Sequence, residues 1–228
     1  MNVVLFGGTG MIGSGVLMEC LDDPGVESVL AIGRSSSGVE DSKLTEVIHQ
    51  DFFDYSSLQP RLERYDVCFF CLGVSSAGMG EERYHQLTYD LTLRAAEALV
   101  QAKPGMTFCY ISGAGTDSTE QGRSMWARVK GKTENALLQL PFKASYMLRP
   151  GYIQPLKGIK SSTRVYRIMY ALMGPLYPVW KTLFPGLVTT TEKLGLAMIR
   201  VAREGYPERI LETRDINALV ESVSQDRR

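Results

Sequence analysis

The sequence predicts an α/β fold, a doubly wound parallel sheet with helices on both faces, on three observations. Short apolar runs recur along the 228 residues at 2–6, 28–32, 46–50, 66–72, 106–111, 144–148 and 209–212. Segments with apolar residues at helical spacing separate them, which is a βαβ series. The runs are largely continuous in apolar character, as expected of parallel strands covered on both faces.

The first run, Val3 to Phe6, leads straight into Gly7, Gly8, Thr9, Gly10, Met11, Ile12 and Gly13, and then into Val16, Leu17 and Cys20 at helical spacing. Gly7 permits the tight turn, Gly10 lets backbone approach a phosphate, and Gly13 lets the helix pack close to the strand. Free N–H groups and the helix dipole then meet negative charge. This is the turn of a Rossmann-type dinucleotide site, and Gly7, Thr9, Gly10, Met11, Ile12 and Gly13 are its candidate phosphate-binding residues.

The second run ends Ala31, Ile32, Gly33, Arg34, Ser35, Ser36, Ser37. An acid here would bind the ribose 2′-OH of NAD, whereas an arginine accepts the 2′-phosphate of NADP. With Arg34 and Ser35 in that place, and hydroxyls at Ser36 and Ser37, NADP(H) is favoured over NAD. After the third run, Asp51 and Phe52 are placed to hold the adenine amino group and ring edge; Asp51 serves equally well as a turn or helix cap.

The fourth run carries Cys68 and Cys71, a C-x-x-C string. Residues three apart on a strand face opposite sides, and His49 and His85 form no ligand pattern, so no metal site is expected and the four cysteines read as buried thiols. Leu72 and Gly73 follow at the strand end. Tyr84, Leu87, Leu91, Ala95 and Ala98 predict one helix, and Met125, Val129, Ala136 and Leu140 another. Thr189 with Glu192 has the form of a capping box before Leu194, Met198 and Val201, and Gly205 can end that helix.

Twenty-five basic and twenty-five acidic residues leave no net charge, so no global field favours nucleic acid, and nothing in the composition signals disorder. The length fits one domain over 1–228. With a strand at the very start and no basic and apolar leader pattern, a cytoplasmic protein is expected. One stretch departs from the average: from Asn135 to Thr191 there is no acid, while Lys143, Arg149, Lys157, Lys160, Arg164, Arg167 and Lys181 are present. Within it, Ile168 to Trp180 is uncharged but broken by two prolines and a glycine, and it falls short of the roughly 20 residues of a membrane span. The region 151–190 reads as a small C-terminal lid or substrate region. The alternative for the basic 143–181 segment is weak peripheral contact with an anionic membrane.

The glycine turn, the strand end Cys71–Leu72–Gly73 and the block Arg128, Val129, Lys130, Gly131, Lys132, Thr133, Glu134 together resemble the atypical short-chain dehydrogenase/reductase superfamily. More narrowly they resemble its Tat-interacting-protein-like and NmrA-like branch, sometimes labelled NAD-dependent epimerase/dehydratase-like. The resemblance covers Met1 to Leu219. It implies that Leu148, Arg149, Pro150 and Gly151 leave the sixth strand beside the nicotinamide, with Pro150 and Ile153 among the cofactor contacts.

Active members use a serine after the fifth strand and a tyrosine four residues before a lysine, the tyrosine moving a proton at the substrate oxygen and the lysine lowering its pKa while binding the nicotinamide ribose. Here the lysine is Lys130, but the tyrosine position holds Trp126, whose indole N–H is neither acid nor base near neutral pH. The serine position aligns with Gly113, leaving Ser112 one place early and, on a strand, facing the other way. Three readings stay open. The chain is an NADP(H)-dependent sensor or regulator with degraded catalytic positions. Alternatively it is an NADPH-dependent oxidoreductase or epimerase with the acid moved to Tyr84, Tyr110 or Tyr152 and a small-molecule substrate. The third reading is a peripheral membrane or partner-binding module with a structural nucleotide.

Overall fold

The computed structural model describes residues 1–159, 183–184 and 186–226. Seven strands, β1 (Asn2–Phe6), β2 (Ser28–Gly33), β3 (Leu44–Ile48), β4 (Val67–Phe70), β5 (Thr107–Ile111), β6 (Ala144–Arg149) and β9 (Ile210–Glu212), form one sheet in the order β3-β2-β1-β4-β5-β6-β9. Every neighbouring pair is parallel. The order reverses between β1 and β4, and the carboxyl ends of the strands at that point open a crevice. The expected fold class is therefore the observed one, with strand limits differing by a few residues.

Alternation along the strands divides the core in two. Val3 and Leu5 of β1 join Val67 and Phe69 of β4 on one face, while Val4 and Phe6 join Cys68 and Phe70 on the other. The first face is covered by α1 (Met11–Asp22), α6 (Thr191–Glu204) and α7 (Thr213–Asp226). The second is covered by α2 (Gln59–Leu62), α4 (Leu91–Ala102) and α5 (Met125–Gln139). Helices α1 and α6 touch closely because small residues meet there: a Cβ on Gly15 would lie 2.7 Å from the Thr191 Cβ, and one on Gly195 2.7 Å from the Glu19 Cγ.

Four local expectations change. The third strand begins two residues earlier than its apolar run and is an edge strand, with Ile48 exposed, so it is not covered on both faces. The single helix expected around residues 84–98 is built as α3 (Glu81–His85), a π-helical turn (Gln86–Asp90) and α4. The cap of α6 is Thr190, whose hydroxyl accepts the Lys193 N–H at 3.0 Å, rather than Thr189, whose hydroxyl donates to Asn217 Oδ1. Gly205 does end that helix, with φ +79°.

The fourth change is a second, two-stranded parallel sheet, β7 (Tyr152–Gln154) with β8 (Val188–Thr190), which the sequence did not announce. It spans the two ends of the region read as a lid. Residues 160–182 and 185, which include Lys160, Arg164, Arg167, Lys181 and the uncharged run, lie outside the described residues. No helix among the described residues is long and apolar enough to cross a membrane.

Candidate functional site

The turn after β1 is shaped by what its glycines exclude. Gly7 has φ +82°, and a Cβ there would lie 2.9 Å from the Cys71 carbonyl, so the turn presses against the end of β4. A Cβ on Gly13 would lie only 2.0 Å from the Gly7 oxygen, and one on Gly10 3.3 Å from it. Helix α1 thus starts against the turn itself. Gly10 is its cap and supplies no capping side chain, which leaves the first-turn amides of Met11, Ile12 and Gly13 without intrahelical acceptors. Ser14 closes the turn from inside, its hydroxyl donating to the Gly8 and Gly10 carbonyls.

Beside this turn a cleft of about 320 Å³ runs along the strand ends. It is lined by Gly7 and Thr9 after β1, by Gly33, Arg34 and Ser35 after β2, by Gln50 to Phe53 after β3, by Leu72 to Val74 after β4, and by Leu87 and Leu91. Arg34 and Ser35 are exposed, and the Arg34 guanidinium has no ion pair among the described residues. Glycines whose Cβ atoms would fill the turn, an apolar floor and a cation at the rim fit a dinucleotide: the turn amides would hold the pyrophosphate and the far end the adenosine.

The cleft corrects several assignments. Phe52 borders it, but the Phe52 ring is core, packed edge-on against Phe6 and Tyr55; the exposed aromatic at the cleft is Phe53. Asp51 is both a turn residue, its Oδ1 accepting the Phe53 N–H at 2.9 Å, and part of the lining. Ser36 does not offer its hydroxyl to a ligand, because it donates to Glu46. Gln50, Phe53, Val74, Leu87 and Leu91 were not singled out. The leucines belong to the predicted helical stripe, whose spacing does not show which of its residues face a cleft, and Gln50 and Phe53 flank Asp51 and Phe52.

At the far end, β5 runs into Ser112, Gly113 and Gly115. The Ser112 hydroxyl is buried and donates to the Leu148 carbonyl of β6 at 3.1 Å. In this arrangement the hydroxyl links the ends of β5 and β6. Gly113 and Gly115 have φ +154° and +86°, and the Trp126 ring lies 4.0 and 3.6 Å from where their Cβ atoms would stand. The indole thus covers the loop at the place where a serine and a phenol are expected. Lys130, one turn further along α5, donates to the Ser112 and Ile111 carbonyls and lies 5.7 Å from the Tyr110 ring centre. Burial pulls its ammonium down to about pH 8, against the opposing pull of Glu134.

Of the alternative phenols, Tyr84 and Tyr110 are 2% and 1% exposed, and burial pushes Tyr110 well above the ordinary phenol range. Tyr152 is half-buried, its hydroxyl donating to Gln154 Oε1 at 2.9 Å. Pro150 is buried, its carbonyl accepting the Ala114 N–H, and Ile153 is buried in the core cluster under α6, so its side chain is not a cleft residue. Cys68 and Cys71 belong to opposite faces of the sheet, and burial raises both thiols. Two cations of the basic stretch are spent internally. Arg149 binds Glu134, Ser118 and Glu212, and Lys157 binds Glu19 at 2.8 Å and Asp22 at 3.0 Å. Both are thus already paired with acids.

No protein-family model matches the chain. A protein named fmp52, mitochondrial, from Emericella nidulans is 26% identical over 204 residues, covering 87% of this chain and 85% of its own. The corresponding protein of Saccharomyces cerevisiae is 28% identical over 198 residues, covering 79% and 82%. Among solved structures, the ADP-L-glycero-D-manno-heptose-6-epimerase of Helicobacter pylori superposes with a TM-score of 0.66 at 15% identity, over 96% of this chain and 81% of that one. The enzyme WbmF of Bordetella bronchiseptica, in complex with NAD+, gives 0.65 at 17% identity, over 100% and 79%. The architecture is thus that of epimerase and short-chain dehydrogenase structures. The mitochondrial names of the relatives overturn the expectation of a cytoplasmic protein.

Proposed function

We propose that this chain binds NADP(H) in the cleft as one nucleotide-binding domain with 151–190 as its lid or substrate region, and acts as a cofactor-dependent regulator rather than through short-chain dehydrogenase acid/base chemistry. The observation that carries this is a glycine-shaped turn together with a loop in which Ser112 is bonded to the Leu148 carbonyl and Trp126 packs over Gly113 and Gly115. Bound cofactor supplies hydride chemistry. The residues around it supply binding and orientation: turn amides for the pyrophosphate, Arg34 and Ser35 for the 2′-phosphate, Phe53, Leu72, Leu87 and Leu91 for the base. The sequence resemblance to Tat-interacting-protein-like and NmrA-like proteins is part of this reading, and the names of the relatives support a mitochondrial setting.

A second reading has one observation in its favour. Tyr152 directly follows the Pro150–Gly151 exit of β6 and is the one phenol of the three candidates that is not sealed in the core. In that reading the chain is an NADPH-dependent oxidoreductase with Tyr152 as acid. Calorimetric titration with NADPH and NADH, with turnover assayed on aldehydes, ketones and quinones, separates the two. The regulator reading expects NADPH binding with turnover absent or very slow, since a positioned general acid is worth about 10²- to 10⁴-fold. Absence of binding would overturn both readings; robust turnover that survives Trp126→Phe and is lost in Tyr152→Phe would establish the second.

A further inference from the structure

The loop that carries Arg34 is wound around an acid from the neighbouring strand. Glu46 stands on β3 opposite Ala31 of β2. Its carboxylate accepts the Ser36 hydroxyl and, at 2.7 Å, the Ser37 N–H. The two serines then turn the chain onward, Ser36 Oγ accepting the Gly38 N–H at 3.0 Å and Ser37 Oγ the Val39 N–H at 3.2 Å. On the other side, the Gln50 side-chain amide donates to the Arg34 carbonyl at 3.1 Å. The backbone around Arg34 is therefore pinned from both sides by residues of β3 and its exit. Arg34 and Ser35 line the cleft, whereas Ser36, Ser37 and Glu46 do not.

We propose that Glu46 is a positioning residue for cofactor choice: by holding Ser36 and Ser37 it fixes the loop so that Arg34 and Ser35 meet the 2′-phosphate of NADP(H), without itself touching the nucleotide. This rests on the NADP(H) reading above. An exposed loop has many conformations, and a binding residue on it must lose them when the ligand arrives. Hydrogen bonds to an ionised carboxylate are the stronger kind, so the ordering is done in advance and the ligand's affinity is not reduced by it. The hydrogen bonds from Ser36 and Ser37 outweigh burial and keep the Glu46 carboxyl below its ordinary pKa, hence charged at neutral pH. Two effects of that charge oppose each other. As an anchor it favours NADPH; as an anion in the same corner it repels a phosphate.

Titration of the full chain with NADPH and NADH, in wild type, Glu46→Ala, Glu46→Gln, Arg34→Ala and the Arg34→Ala/Glu46→Ala double variant, decides between them. With positioning dominant, Glu46→Ala weakens NADPH about tenfold and NADH by no more than about twofold. Glu46→Gln, which keeps one acceptor oxygen, falls between. The double variant binds NADPH no worse than Arg34→Ala alone, because the acid acts only through the arginine. Tighter NADPH binding in Glu46→Ala would show that repulsion wins and overturn the proposal. Equal weakening of both cofactors, with a lowered melting temperature, would reduce Glu46 to a stabilising contact, and unchanged affinities would remove it from the site. Equal affinities in the wild type would overturn the NADP(H) reading itself, and that result is read without any Glu46 variant.

Discussion

At the scale of single residues, the cleft depends on side chains that are missing as much as on those present. Gly7 and Gly13 are required by backbone atoms at 2.9 and 2.0 Å from a built Cβ, and such contacts cannot be relieved by rotating a side chain. Arg34 is the opposite case, an exposed group whose proposed role is realised only in a complex. Arg34→Ala is expected to leave the melting temperature unchanged and to remove most of the preference for NADPH over NADH. The loss is about 1.5 to 3 kcal/mol, the range for a hydrogen bond to a charged group, read as the ratio of the two dissociation constants. Arg34 was legible from its place after the second strand, because strand length and turn position are local. Glu46 was not, since its partners lie nine and ten residues away on the loop after the neighbouring strand and no spacing rule connects them.

At the scale of elements, the close contact of α1 with α6 sets how the C-terminal helices sit on the sheet. Gly15→Ala tests it, and two magnitudes compete. Alanine in a helix interior gains up to about 1 kcal/mol over glycine, while overpacking costs about 1–3 kcal/mol. The added Cβ would meet the Thr191 Cβ at 2.7 Å and its carbonyl oxygen at 3.2 Å, groups held by the start of α6. The net expectation is destabilisation by about 1 kcal/mol, read as a lower urea midpoint with an unchanged slope. The elements themselves were largely legible, because apolar periodicity marks strands and helices. The π-helical turn was not: Leu87 and Leu91 fit a helical stripe, and only packing showed them at the cleft. Thr190 and Thr189 are adjacent hydroxyls, and their exchange of roles depends on where β8 ends.

At the scale of the whole molecule, one buried ion pair joins parts far apart in the chain. Glu134 of α5, fully buried, holds Arg149 at the end of β6, which also reaches Ser118 on the loop after β5 and Glu212 of β9. Glu134→Ala leaves a buried guanidinium without its main partner and is expected to cost about 3–5 kcal/mol by chemical denaturation. Replacing both residues by methionine is expected to cost much less, since no charge is then left unpaired. If the two variants proved equally unstable, packing rather than the uncompensated charge would be the source. Lys157, bound to Glu19 from 138 residues away, is likewise a long-range pair, with its side chain partly exposed. A cation of a basic stretch can thus be paired with acids far away in the sequence.

What the sequence determined by itself is what local rules govern. The parallel α/β architecture, the glycine turn and the arginine after the second strand follow from periodicity, chirality and steric exclusion over a few residues. The tertiary structure alone decided which hydroxyl faces a neighbour and which faces a cleft: Ser112 bonded to Leu148, Ser36 to Glu46, and Phe53 rather than Phe52 turned outward. It also decided which charges are already paired. A side chain's direction and its partners depend on groups brought together from distant parts of the chain, and a hydrogen bond or ion pair forms by distance in space, not by distance in sequence.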